Sequence, residues 1–433
     1  MDLKGKKVSV LGAGRSGQAA AVLARSEGAQ VTLYDENPNA SCAEDLTLVS
    51  GISLADAEKV LSDLIVLSPG IDTYGPFVGA FCKNGGPLIG ELELACNYYS
   101  GRIVAITGTN GKTTTTALVS AFLEASGISC PPCGNYGTPL SEILLEGNEP
   151  EAIALEVSSF QLETIRDFHP EVAVWMNFAA DHMDRYPDLD SYKAAKLRIF
   201  ENQDASDRAL VRAGETLPEI EAELTTFSSL QGADWTLFGP HIMCGDAKVL
   251  DFSASRLRGK HNAENVMVAA AVGRHFGLSD SLMQQTLEAF TPPAHRCELV
   301  GTLDNVEYVN DSKATNLHAL ESALTSQQCP IVLIAGGKEK GLDYSALPPL
   351  LRKHAIAAVT YGEIGNKLGG LIDGSVPVSV VKTLSEAVLE ARSLAIPGSM
   401  VLLSPGTSSF DQFSGYEARG EAFREAVAQL AVA

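Results

Sequence analysis

The sequence predicts an α/β protein in which several domains each contain a mostly parallel sheet. A chain of 433 residues is too long for one hydrophobic core, since single cores stop growing near ~250–300 residues. Short apolar segments rich in β-branched residues alternate with segments of helical periodicity, which is the pattern of parallel sheets covered by helices. Glycine-rich or polar turns follow these apolar segments in three successive parts of the chain. We therefore expect three α/β units, each with polar loops at the ends of its strands.

The acidic composition argues against nucleic acid and membranes as partners. Acidic residues number 53 and basic residues 32, so the formal charge is −21. Such a surface repels nucleic acid and anionic lipid except at local basic patches. No uninterrupted apolar run reaches transmembrane length, and the opening MDLKGKKVSVLG reads as a strand rather than a signal peptide. We expect a cytoplasmic protein that binds neither membranes nor nucleic acid.

The cysteine pattern does not indicate a metal site. The eight cysteines are scattered, and Cys130-Pro-Pro-Cys133 is the one close pair, which cannot complete a tetrahedral site by itself. A redox role for this pair is the alternative. The two prolines between the thiols and the lack of a nearby helix start favour reduced structural thiols instead.

The first segment, roughly residues 1 to 93, has the arrangement of a dinucleotide-binding unit. A strand at Lys7–Leu11 precedes the turn Gly12-Ala-Gly14-Arg15-Ser16-Gly17 and a helix, and a second strand leads to Asp35. The glycines let a pyrophosphate approach the helix N-terminus, and the acid suits a hydroxylated ligand. Nicotinamide binding is one interpretation of this motif, but the residues require only a pyrophosphate-bearing ligand. A further strand ends in Ser68-Pro-Gly70, at the edge where such sheets bind ligands.

The segment from Arg102 to Ala125 predicts a binding loop for ATP phosphates. An apolar strand and an apolar helix flank the sequence Gly108-Thr109-Asn110-Gly111-Lys112-Thr113. Glycines let successive N–H groups point inward, and the helix N-terminus adds a partial positive charge. Lys112 can reach terminal phosphates, and the Thr113 hydroxyl can bind Mg²⁺. Ile106 stands where the common pattern has a glycine, so the motif is a shortened variant, and an ordinary strand-turn-helix corner is the alternative.

Three residues beyond the loop are candidates for binding the metal. Glu156 ends an apolar strand, where a carboxylate needs a cation or donors, although an acid at the start of the next helix is the alternative. His182 in DHMD follows another strand and competes with the interpretation of a hydrogen-bonded loop histidine. Lys196 lies on a largely apolar helix, where a lysine commonly extends its ammonium to solvent. In residues 204 to 259, which are richer in turns, we expect an added, less regular sheet.

The third segment, roughly residues 295 to 433, repeats the alternation of strands and polar loops. Its strands lead into NDSKATN, GGKEKG and PGTSSFDQF, and an amphipathic helix from Glu417 to Leu430 ends the chain. Asp311 and Lys313 of the first loop suit contacts to ribose and phosphate, and a capped turn is the competing explanation. Arg296 stands at the junction with the second segment, where its guanidinium either closes over a γ-phosphate or pairs with an acid.

Taken in order, these motifs resemble the Mur ligase family of bacterial cell-wall synthesis. The chain contains GTNGKT, EVSSFQLE, NFAADHMDRY, AAKLRIFEN, GKHNAENV, AHRCE, NDSKATN and LLSPGTSSFDQF, so the resemblance covers essentially the whole sequence. GTNGKT alone is also similar to folylpolyglutamate synthetases. DHMDRY, NDSKATN and SPGTSSFDQF are more particular, and look like the family members that add D-glutamate to UDP-N-acetylmuramoyl-L-alanine.

The resemblance implies an ATP-dependent ligase of three domains. These would be an N-terminal Rossmann-like domain for the UDP substrate (1–93), a central P-loop ATPase-like domain (94–294) and a C-terminal Rossmann-like domain (295–433) that closes on ATP and binds D-glutamate. The cofactors would be ATP and a pair of Mg²⁺ ions, and the protein would be a monomer. The terminal alanine carboxylate would become an acyl phosphate, which the amine of D-glutamate would attack.

The resemblance also assigns roles to individual residues. ATP would be bound by Gly108, Thr109, Asn110, Gly111, Lys112, Thr113, Thr114, Asn265, Arg296 and Asp311. The UDP substrate would be bound by Gly14, Arg15, Ser16, Asp35, Gly70, Asn135 and His182. D-Glutamate would be bound by Thr315, Lys340, Ser409, Phe410 and Tyr416, with Lys338 as the alternative to Lys340. The metal ligands would be Thr113, Glu156, His182 and a carbamylated Lys196. The catalytic residues would be Lys112, His182, Lys196 and Lys313, the last close to the transferred phosphoryl group.

Overall fold

The fold is known from a computed structural model that describes residues 1–183, 185–230, 232–327 and 329–430. Asp184 of the DHMDRY motif and the last three residues of the predicted C-terminal domain therefore lie outside the described residues. The chain divides into two compact units. The first contains Met1–Phe178, Arg185–Ser255 and Glu264–Phe290, and the second contains residues 179–183, residues 256–263 and the described part of the chain from Thr291 onward.

The first unit begins with a five-stranded parallel sheet in the order β3-β2-β1-β4-β5. Its strands are β1 (Lys7–Leu11), β2 (Gln30–Asp35), β3 (Leu48–Ser50), β4 (Leu64–Leu67) and β5 (Leu88–Gly90), and its helices are α1 (Arg15–Ser26), α2 (Leu54–Ala57), α3 (Pro76–Cys82) and α4 (Glu91–Cys96). After β1 the chain builds β2 on one side and later β4 on the other. The ends of β1 and β4 therefore flank the crevice at which such sheets bind ligands.

The same unit contains a nine-stranded sheet in the order β14-β13-β12-β11-β10-β9-β6-β8-β7. Its strands are β6 (Arg102–Thr107), β7 (Pro132–Gly134), β8 (Ala152–Glu156), β9 (Val172–Trp175), β10 (Arg208–Arg212), β11 (Glu223–Ser228), β12 (Trp235–Phe238), β13 (His241–Cys244) and β14 (Ala247–Asp251). The helices of this part are α5 (Lys112–Ala125), α6 (Leu140–Leu145), α7 (Ser159–Leu162), α8 (Leu189–Leu197), α9 (Lys260–His275) and α10 (Asp280–Ala289).

The expectation of an added sheet in residues 204 to 259 is wrong. The strands of this region extend the middle sheet, because β10 pairs in parallel with β9, and β11 and β12 follow in the same direction. Pairing with β10 satisfies the backbone groups that β9 would otherwise leave at an open edge. Only the last two strands, β13 and β14, run antiparallel to their neighbours.

The second unit contains a six-stranded sheet in the order β15-β16-β20-β17-β18-β19. Its strands are β15 (Glu298–Leu303), β16 (Val306–Asn310), β17 (Ile331–Gly336), β18 (Ala355–Tyr361), β19 (Val378–Val380) and β20 (Met400–Leu403), and its helices are α11 (Leu317–Ser326), α12 (Leu347–His354), α13 (Gly365–Ile372), α14 (Leu384–Leu394) and α15 (Tyr416–Leu430). The hairpin between β15 and β16 turns at Asp304 and Asn305, whose φ angles are 50° and 61°. Two such left-handed residues match the twist of antiparallel strands. The remaining strands are parallel.

The two sheets of the first unit share one apolar core. A single cluster of buried side chains includes Val10 of β1, Leu94 of α4 and Leu155 of β8. Beside it, the carboxylate of Glu93, which is 1% exposed, accepts hydrogen bonds from the N–H groups of three consecutive residues, 166 to 168, at 2.8–3.1 Å. A buried carboxylate with this many donors is fully hydrogen-bonded, and it joins α4 to the chain ahead of β9.

The α/β class with mostly parallel sheets is confirmed, while the predicted domain boundaries at residues 93/94 and 294/295 stay predictions. The cysteines are free thiols, and burial raises the pKa of Cys130 to about 12, as expected for reduced structural thiols. In the described part of the chain, each helix is too short or too polar to cross a membrane.

Candidate active site

The turn between β6 and α5 has the backbone of an anion-binding loop. Gly108 and Gly111 have φ angles of 146° and 87°, which favour glycine. A Cβ atom on Gly108 would lie 2.8 Å from the side chain of Met176, and one on Gly111 would lie 2.7 Å from Asn265 Oδ1. Helix α5 begins at Lys112 and is fourteen residues long, so its first N–H groups and its dipole favour an anion here.

An asparagine that the sequence analysis missed holds this loop. Asn177 follows β9, and its Oδ1 accepts the Asn110 N–H at 2.9 Å while its backbone oxygen accepts the Thr109 N–H at 3.0 Å. Its amide nitrogen donates to the Asn110 carbonyl at 3.0 Å. The only signal in the sequence is a polar side chain directly after a buried apolar strand.

Two lysine ammonium groups converge on the loop. Lys112 Nζ donates to the carbonyl oxygens of Gly108 and Thr109 at 2.9 and 3.0 Å, and Lys196 Nζ donates to the same Gly108 oxygen at 2.9 Å. Lys196 is 2% exposed and lies 4.9 Å from the centre of the Tyr192 ring. The alternative of an ammonium extended to solvent is therefore wrong. The buried lysine adds positive potential to the loop, which favours an anion there.

Buried Glu156 and Thr113 and exposed Asn135 form one hydrogen-bonded group close to the ends of β6, β7 and β8. The Thr113 hydroxyl donates to Glu156 Oε2 at 2.8 Å, and the Asn135 amide donates to Glu156 Oε1 at 2.7 Å. Glu156 is 2% exposed and precedes α7, whose N-cap is Ser158, so the alternative of a helix-start acid does not explain its position. A carboxylate and a hydroxyl at this separation are hard oxygen donors that fit Mg²⁺.

Asn265 also contacts the loop. It lies in α9, is 2% exposed, and its Oδ1 is 3.2 Å from the Thr115 hydroxyl in α5. Thr114 is buried in the first turn of α5. The first unit therefore brings together eight of the predicted ATP contacts, residues 108 to 114 and Asn265, at one end of the middle sheet.

The predicted UDP-substrate loops meet at the ends of β1 and β4. A Cβ atom on Gly12 would lie 2.9 Å from side-chain atoms of both Ser68 and Ile71. Asp35 Oδ2 accepts the Ala13 N–H at 2.8 Å, which fixes the acid against the turn. Gly14 is the N-cap of α1, Ser16 is half-buried in its first turn, and Gly70 is exposed with open space around it.

Arg15 has a partner within the first unit. Its guanidinium donates to both carboxylate oxygens of Glu142 in α6, at 2.9 and 3.0 Å. This bidentate pair is exposed, with 61% of the arginine side chain in solvent. The hydrogen bond to Glu142 raises the pKa of Arg15 above its ordinary value.

The second unit places Asp311 and Arg296 together. Asp311 follows β16, is fully buried, and accepts hydrogen bonds from the Cys297 N–H at 3.2 Å and the Ser404 hydroxyl at 3.0 Å. Burial raises its pKa to about 6, against the opposing effect of the Arg296 charge. Among the described residues, the buried Nε of Arg296 has no hydrogen-bond partner, which fits a site for an anion.

Arg419 is a second residue that the sequence analysis missed. It is fully buried in α15, and donates to the Ser312 hydroxyl at 2.9 Å, the Ser312 carbonyl at 2.7 Å and the Thr407 carbonyl at 3.1 Å. It therefore connects the loop after β16 to the loop after β20. An arginine on the apolar side of an amphipathic helix is the sequence signal for such a role.

The predicted D-glutamate residues lie on these loops and on the loop after β17. Lys340 Nζ is 4.0 Å from Asp181 Oδ1, and Asp181 Oδ2 accepts the Asn316 amide at 2.9 Å. Lys338 is exposed, so Lys340 is the lysine of the GGKEKG loop that faces this segment. Thr315 is half-buried, Ser409 is buried, Phe410 is 65% exposed, and Tyr416 lies 5.1 Å from Lys313 Nζ.

The structure also bears on two alternative interpretations, a capped turn after β16 and a hydrogen-bonded loop histidine at His182. Asn316 caps α11 by accepting the Ala319 N–H at 2.9 Å, so the loop after β16 does contain a capped turn. His182 has a φ angle of 57°, its backbone N–H donates to Asp181 Oδ1 at 2.9 Å, and its Nε2 lies 3.8 Å from Asp181 Oδ2.

A cluster with metal-ligand spacing lies elsewhere in the first unit. Among the described residues, His169, Asp204 and Asp207 place ligand atoms within 4.8 Å of one another. They precede β9 and β10, at the edge of the sheet opposite the Lys112 loop. Asp207 accepts hydrogen bonds from His169 and from the Asp204 N–H, so the cluster organises a turn.

Comparisons with known proteins agree with this arrangement. A model of the Mur ligase middle domain matches residues 106–273, and a model of the Mur ligase glutamate ligase domain matches residues 295–407. UDP-N-acetylmuramoylalanine--D-glutamate ligase of Koribacter versatilis (strain Ellin345) is 37% identical over 449 residues, which cover 100% of this chain and 99% of the relative. The protein of the same name from Chlorobium chlorochromatii (strain CaD3) is 36% identical, covering 99% and 100%.

Solved structures share the fold at low sequence identity. UDP-N-acetylmuramate-alanine ligase from Thermotoga maritima gives a TM-score of 0.63 at 18% identity, covering 98% of this chain and 99% of that one. The MurF ligase from the same organism, solved in complex with ADP, gives 0.62 at 15% identity, covering 99% and 96%. These similarities extend over the three sheets described above.

Proposed function

The chain belongs to the Mur ligase family of ATP-dependent amide-bond-forming enzymes, and we propose that it joins D-glutamate to UDP-N-acetylmuramoyl-L-alanine. The product is a precursor of peptidoglycan, so the reaction serves cell-wall synthesis and, through it, cell shape and division. The observation that carries this proposal is the group of Lys112, Thr113 and Glu156 beside a helix N-terminus, in a chain whose full-length relatives bear this activity in their names. We further propose that the enzyme acts as a cytoplasmic monomer.

ATP binds, in this proposal, with its phosphates on the loop from Gly108 to Thr114. The inward N–H groups, the dipole of α5 and the Lys112 ammonium offset the phosphate charge, and Asn265 supports the loop from α9. Arg296 and Asp311 of the second unit complete the ATP contacts. The unpartnered Nε of Arg296 supports this assignment, since a buried guanidinium nitrogen requires an acceptor.

A pair of Mg²⁺ ions fits the oxygen donors of this site. Thr113 and Glu156 would hold one ion, and His182 with a carbamylated Lys196 are the proposed ligands of the other. Carbamylation would convert the buried Lys196 cation into an oxygen donor. When bound, Mg²⁺ neutralises phosphate charge and lowers the cost of its transfer.

The muramoyl nucleotide would bind across the first unit. Its diphosphate would lie at Gly14 and Gly70, close to the helix N-terminus of α1, while Asp35, Arg15 and Ser16 would contact the uridine. Asn135 and His182 would face the muramoyl end. D-Glutamate would bind in the second unit, and the residues proposed for this pocket are Thr315, Lys340, Ser409, Phe410 and Tyr416.

The reaction needs an activated carboxylate, because a free carboxylate is a poor acyl donor. An oxygen of the alanine carboxylate attacks the γ-phosphorus, the bond to the β-phosphate oxygen breaks, and ADP leaves. Lys112 and Lys313 stabilise the charge on the transferred group. The amine of D-glutamate then attacks the acyl carbon, a tetrahedral oxyanion forms, and phosphate leaves with the former carboxylate oxygen. We propose that closure of the C-terminal domain excludes water from the acyl phosphate.

Isotope transfer and amino-acid competition test this function. Substrate carboxyl-labelled with ¹⁸O should place one labelled oxygen in each inorganic phosphate, and unlabelled phosphate would refute the acyl phosphate. D-Glutamate, L-glutamate, L-lysine and diaminopimelate are offered separately with ATP, Mg²⁺ and the muramoyl nucleotide. Product with an amino acid other than D-glutamate would refute the specificity. The nicotinamide interpretation instead requires an absorbance change of that cofactor, with no phosphate released.

A further inference from the structure

Arg185 and Glu163 form a buried pair that the assignments above leave without a role. Their side chains are 15% and 2% exposed, and Arg185 Nη2 lies 3.3 Å from Glu163 Oε2. Arg185 belongs to the DHMDRY motif and Glu163 closes the EVSSFQLE motif. A buried ion pair is costly to form, so its position relative to the site is informative.

The guanidinium reaches the loop that follows β4. Arg185 Nη2 donates to the backbone carbonyl of Ile71 at 3.0 Å and to the Thr73 hydroxyl at 3.4 Å. Its guanidinium carbon stacks 4.1 Å from the centre of the ring of Phe160 in α7. Arg185, which follows β9, therefore contacts both the loop after β4 and helix α7.

Glu163 holds the same loop from the other side. It accepts hydrogen bonds from the Thr73 hydroxyl and from the hydroxyl of the buried Tyr186, each at 2.5 Å. Burial, together with donation to Glu163, raises the pKa of Tyr186, so this hydroxyl stays a donor throughout the physiological range. Thr73, Glu163 and Arg185 therefore form a closed ring of hydrogen bonds beneath the loop of residues 70 to 73.

We propose that Arg185 is a positioning residue that holds the 70–73 loop in the conformation that binds the diphosphate of the muramoyl nucleotide. The inference rests on the proposed function, in which Gly70 contacts that substrate. Gly70 is exposed and offers only its backbone, so its contribution depends on how that backbone is held. Arginine suits the task because its planar fork can bind a carbonyl, a hydroxyl and a carboxylate while stacking on a ring.

The chain offers a matched control in Arg102. Its guanidinium carbon lies 3.6 Å from the centre of the Phe276 ring, and its Nη2 pairs with Glu171 Oε1 at 2.5 Å. Like Arg185, it therefore stacks on an aromatic ring and pairs with a glutamate. It starts β6, at the edge of the middle sheet opposite the Lys112 loop. Arg102→Ala should reduce thermal stability as Arg185→Ala does, without touching a substrate loop.

The experiment measures substrate binding by calorimetry, separately from catalysis. Arg185→Ala should raise the Kd of UDP-N-acetylmuramoyl-L-alanine about tenfold and leave the Kd of a non-hydrolysable ATP analogue within about twofold. Arg185→Lys should give an intermediate Kd for the muramoyl nucleotide, since a lysine ammonium can make only some of the hydrogen bonds of the guanidinium. Thr73→Val, which removes only the shared hydroxyl, should raise that Kd about threefold. Arg102→Ala should leave both Kd values unchanged.

Each outcome decides the proposal. A wild-type Kd for the muramoyl nucleotide in both Arg185→Lys and Thr73→Val would overturn it, even if Arg185→Ala does not fold. Equal weakening of both ligands, or equal weakening in Arg102→Ala, would mean that Arg185 serves stability alone. Formation of the D-glutamate product by the wild-type enzyme is measured in parallel. Nucleotide binding without product refutes the proposed function only, whereas product with an unchanged Kd in the variants refutes the positioning role only.

Discussion

Two glycine-rich corners of the first unit share a backbone plan and differ in their side chains. In both, a buried parallel strand leads through glycines of positive φ into a helix, at Gly12 after β1 and at Gly108 after β6. The first corner offers Arg15, which pairs with Glu142 in solvent, and an acid at the end of β2. The second offers half-buried Lys112, which donates to carbonyl oxygens of its own loop, and buried Glu156, which accepts from the Thr113 hydroxyl.

The difference in side chains distinguishes a corner suited to binding a phosphate from a corner suited to transferring one. A strand, a glycine turn and a helix N-terminus suffice to bind an anion. Transfer requires in addition a cation and metal ligands that act in a site of low dielectric, where their charges are strongest. This contrast explains why the glycine turn at residues 12 to 17 supports a nicotinamide interpretation so weakly, and why the loop at residue 108 is the more informative motif.

Removing the cation of the second corner should have the largest effect. Lys112→Ala is expected to lower kcat for product formation about 1,000-fold, because charge on the transferred phosphoryl group loses its nearest stabiliser. The Kd of the muramoyl nucleotide should stay within about twofold. Turnover is measured as product per ATP, and a variant that keeps a tenth of wild-type kcat would show that the two corners do not differ as argued.

Removing the acid proposed to bind the metal should have the next largest effect. Glu156→Gln is expected to lower kcat about 100-fold and to shift the Mg²⁺ concentration for half-maximal rate upward, since an amide is a weaker ligand than a carboxylate. Glu142→Gln, at the first corner, is the control and should leave the Mg²⁺ dependence unchanged. An identical Mg²⁺ midpoint in wild type and Glu156→Gln would remove Glu156 from the metal site.

The acid of the first corner should affect binding rather than turnover. Asp35→Asn is expected to raise the KM of the muramoyl nucleotide about tenfold, the cost of losing one hydrogen bond to a charged group, with kcat nearly unchanged. The KM of ATP should not change. A fall in kcat larger than the rise in KM would place Asp35 in the chemistry of transfer, against the division drawn between the corners.

The smallest effect is expected for Arg15. Its pair with Glu142 is exposed, and such pairs contribute on the order of 0.2–1 kcal/mol, so Arg15→Ala should raise the Kd of the muramoyl nucleotide at most about threefold. Thermal denaturation of Arg15→Ala, Glu142→Ala and the double variant measures the pair itself. A tenfold weakening of nucleotide binding would instead show that Arg15 leaves Glu142 for the ligand.

Much of the fold follows from the sequence, because buried parallel strands are recognisable locally. The strand at Lys7–Leu11 has the predicted bounds, and β4 and β16 end directly before the predicted turns, since each is a largely apolar run that ends at a polar or glycine turn. Strands of only three residues, such as β3 and β19, form because they pair with a neighbouring strand, and no pattern within their own residues predicts them. For the same reason, the sequence does not indicate that β10 continues the middle sheet.

The candidate site is predictable where strand ends determine it. Glu156 and Thr113 meet because β6 and β8 are neighbours, and their carboxyl ends lie at one edge. The sequence does not determine whether the ammonium of Lys196 is buried, because an apolar helix suits both a buried ammonium and one in solvent. Asn177, Arg185 and Arg419 act through contacts to backbone groups far away in the sequence, and such contacts depend on tertiary packing that a single sequence does not display.

The carboxylate of Glu93 has a consequence for which nucleotide sugars can react. It joins α4 to the chain before β9, and the two sheets share one apolar core, so the β1 corner and the β6 corner belong to one compact unit. The distance between the two corners is therefore set by the fold, before any ligand binds. Under the proposed function, a sugar nucleotide that lacks the lactyl-alanine arm is therefore expected to bind by its uridine without bringing a carboxylate to the triphosphate.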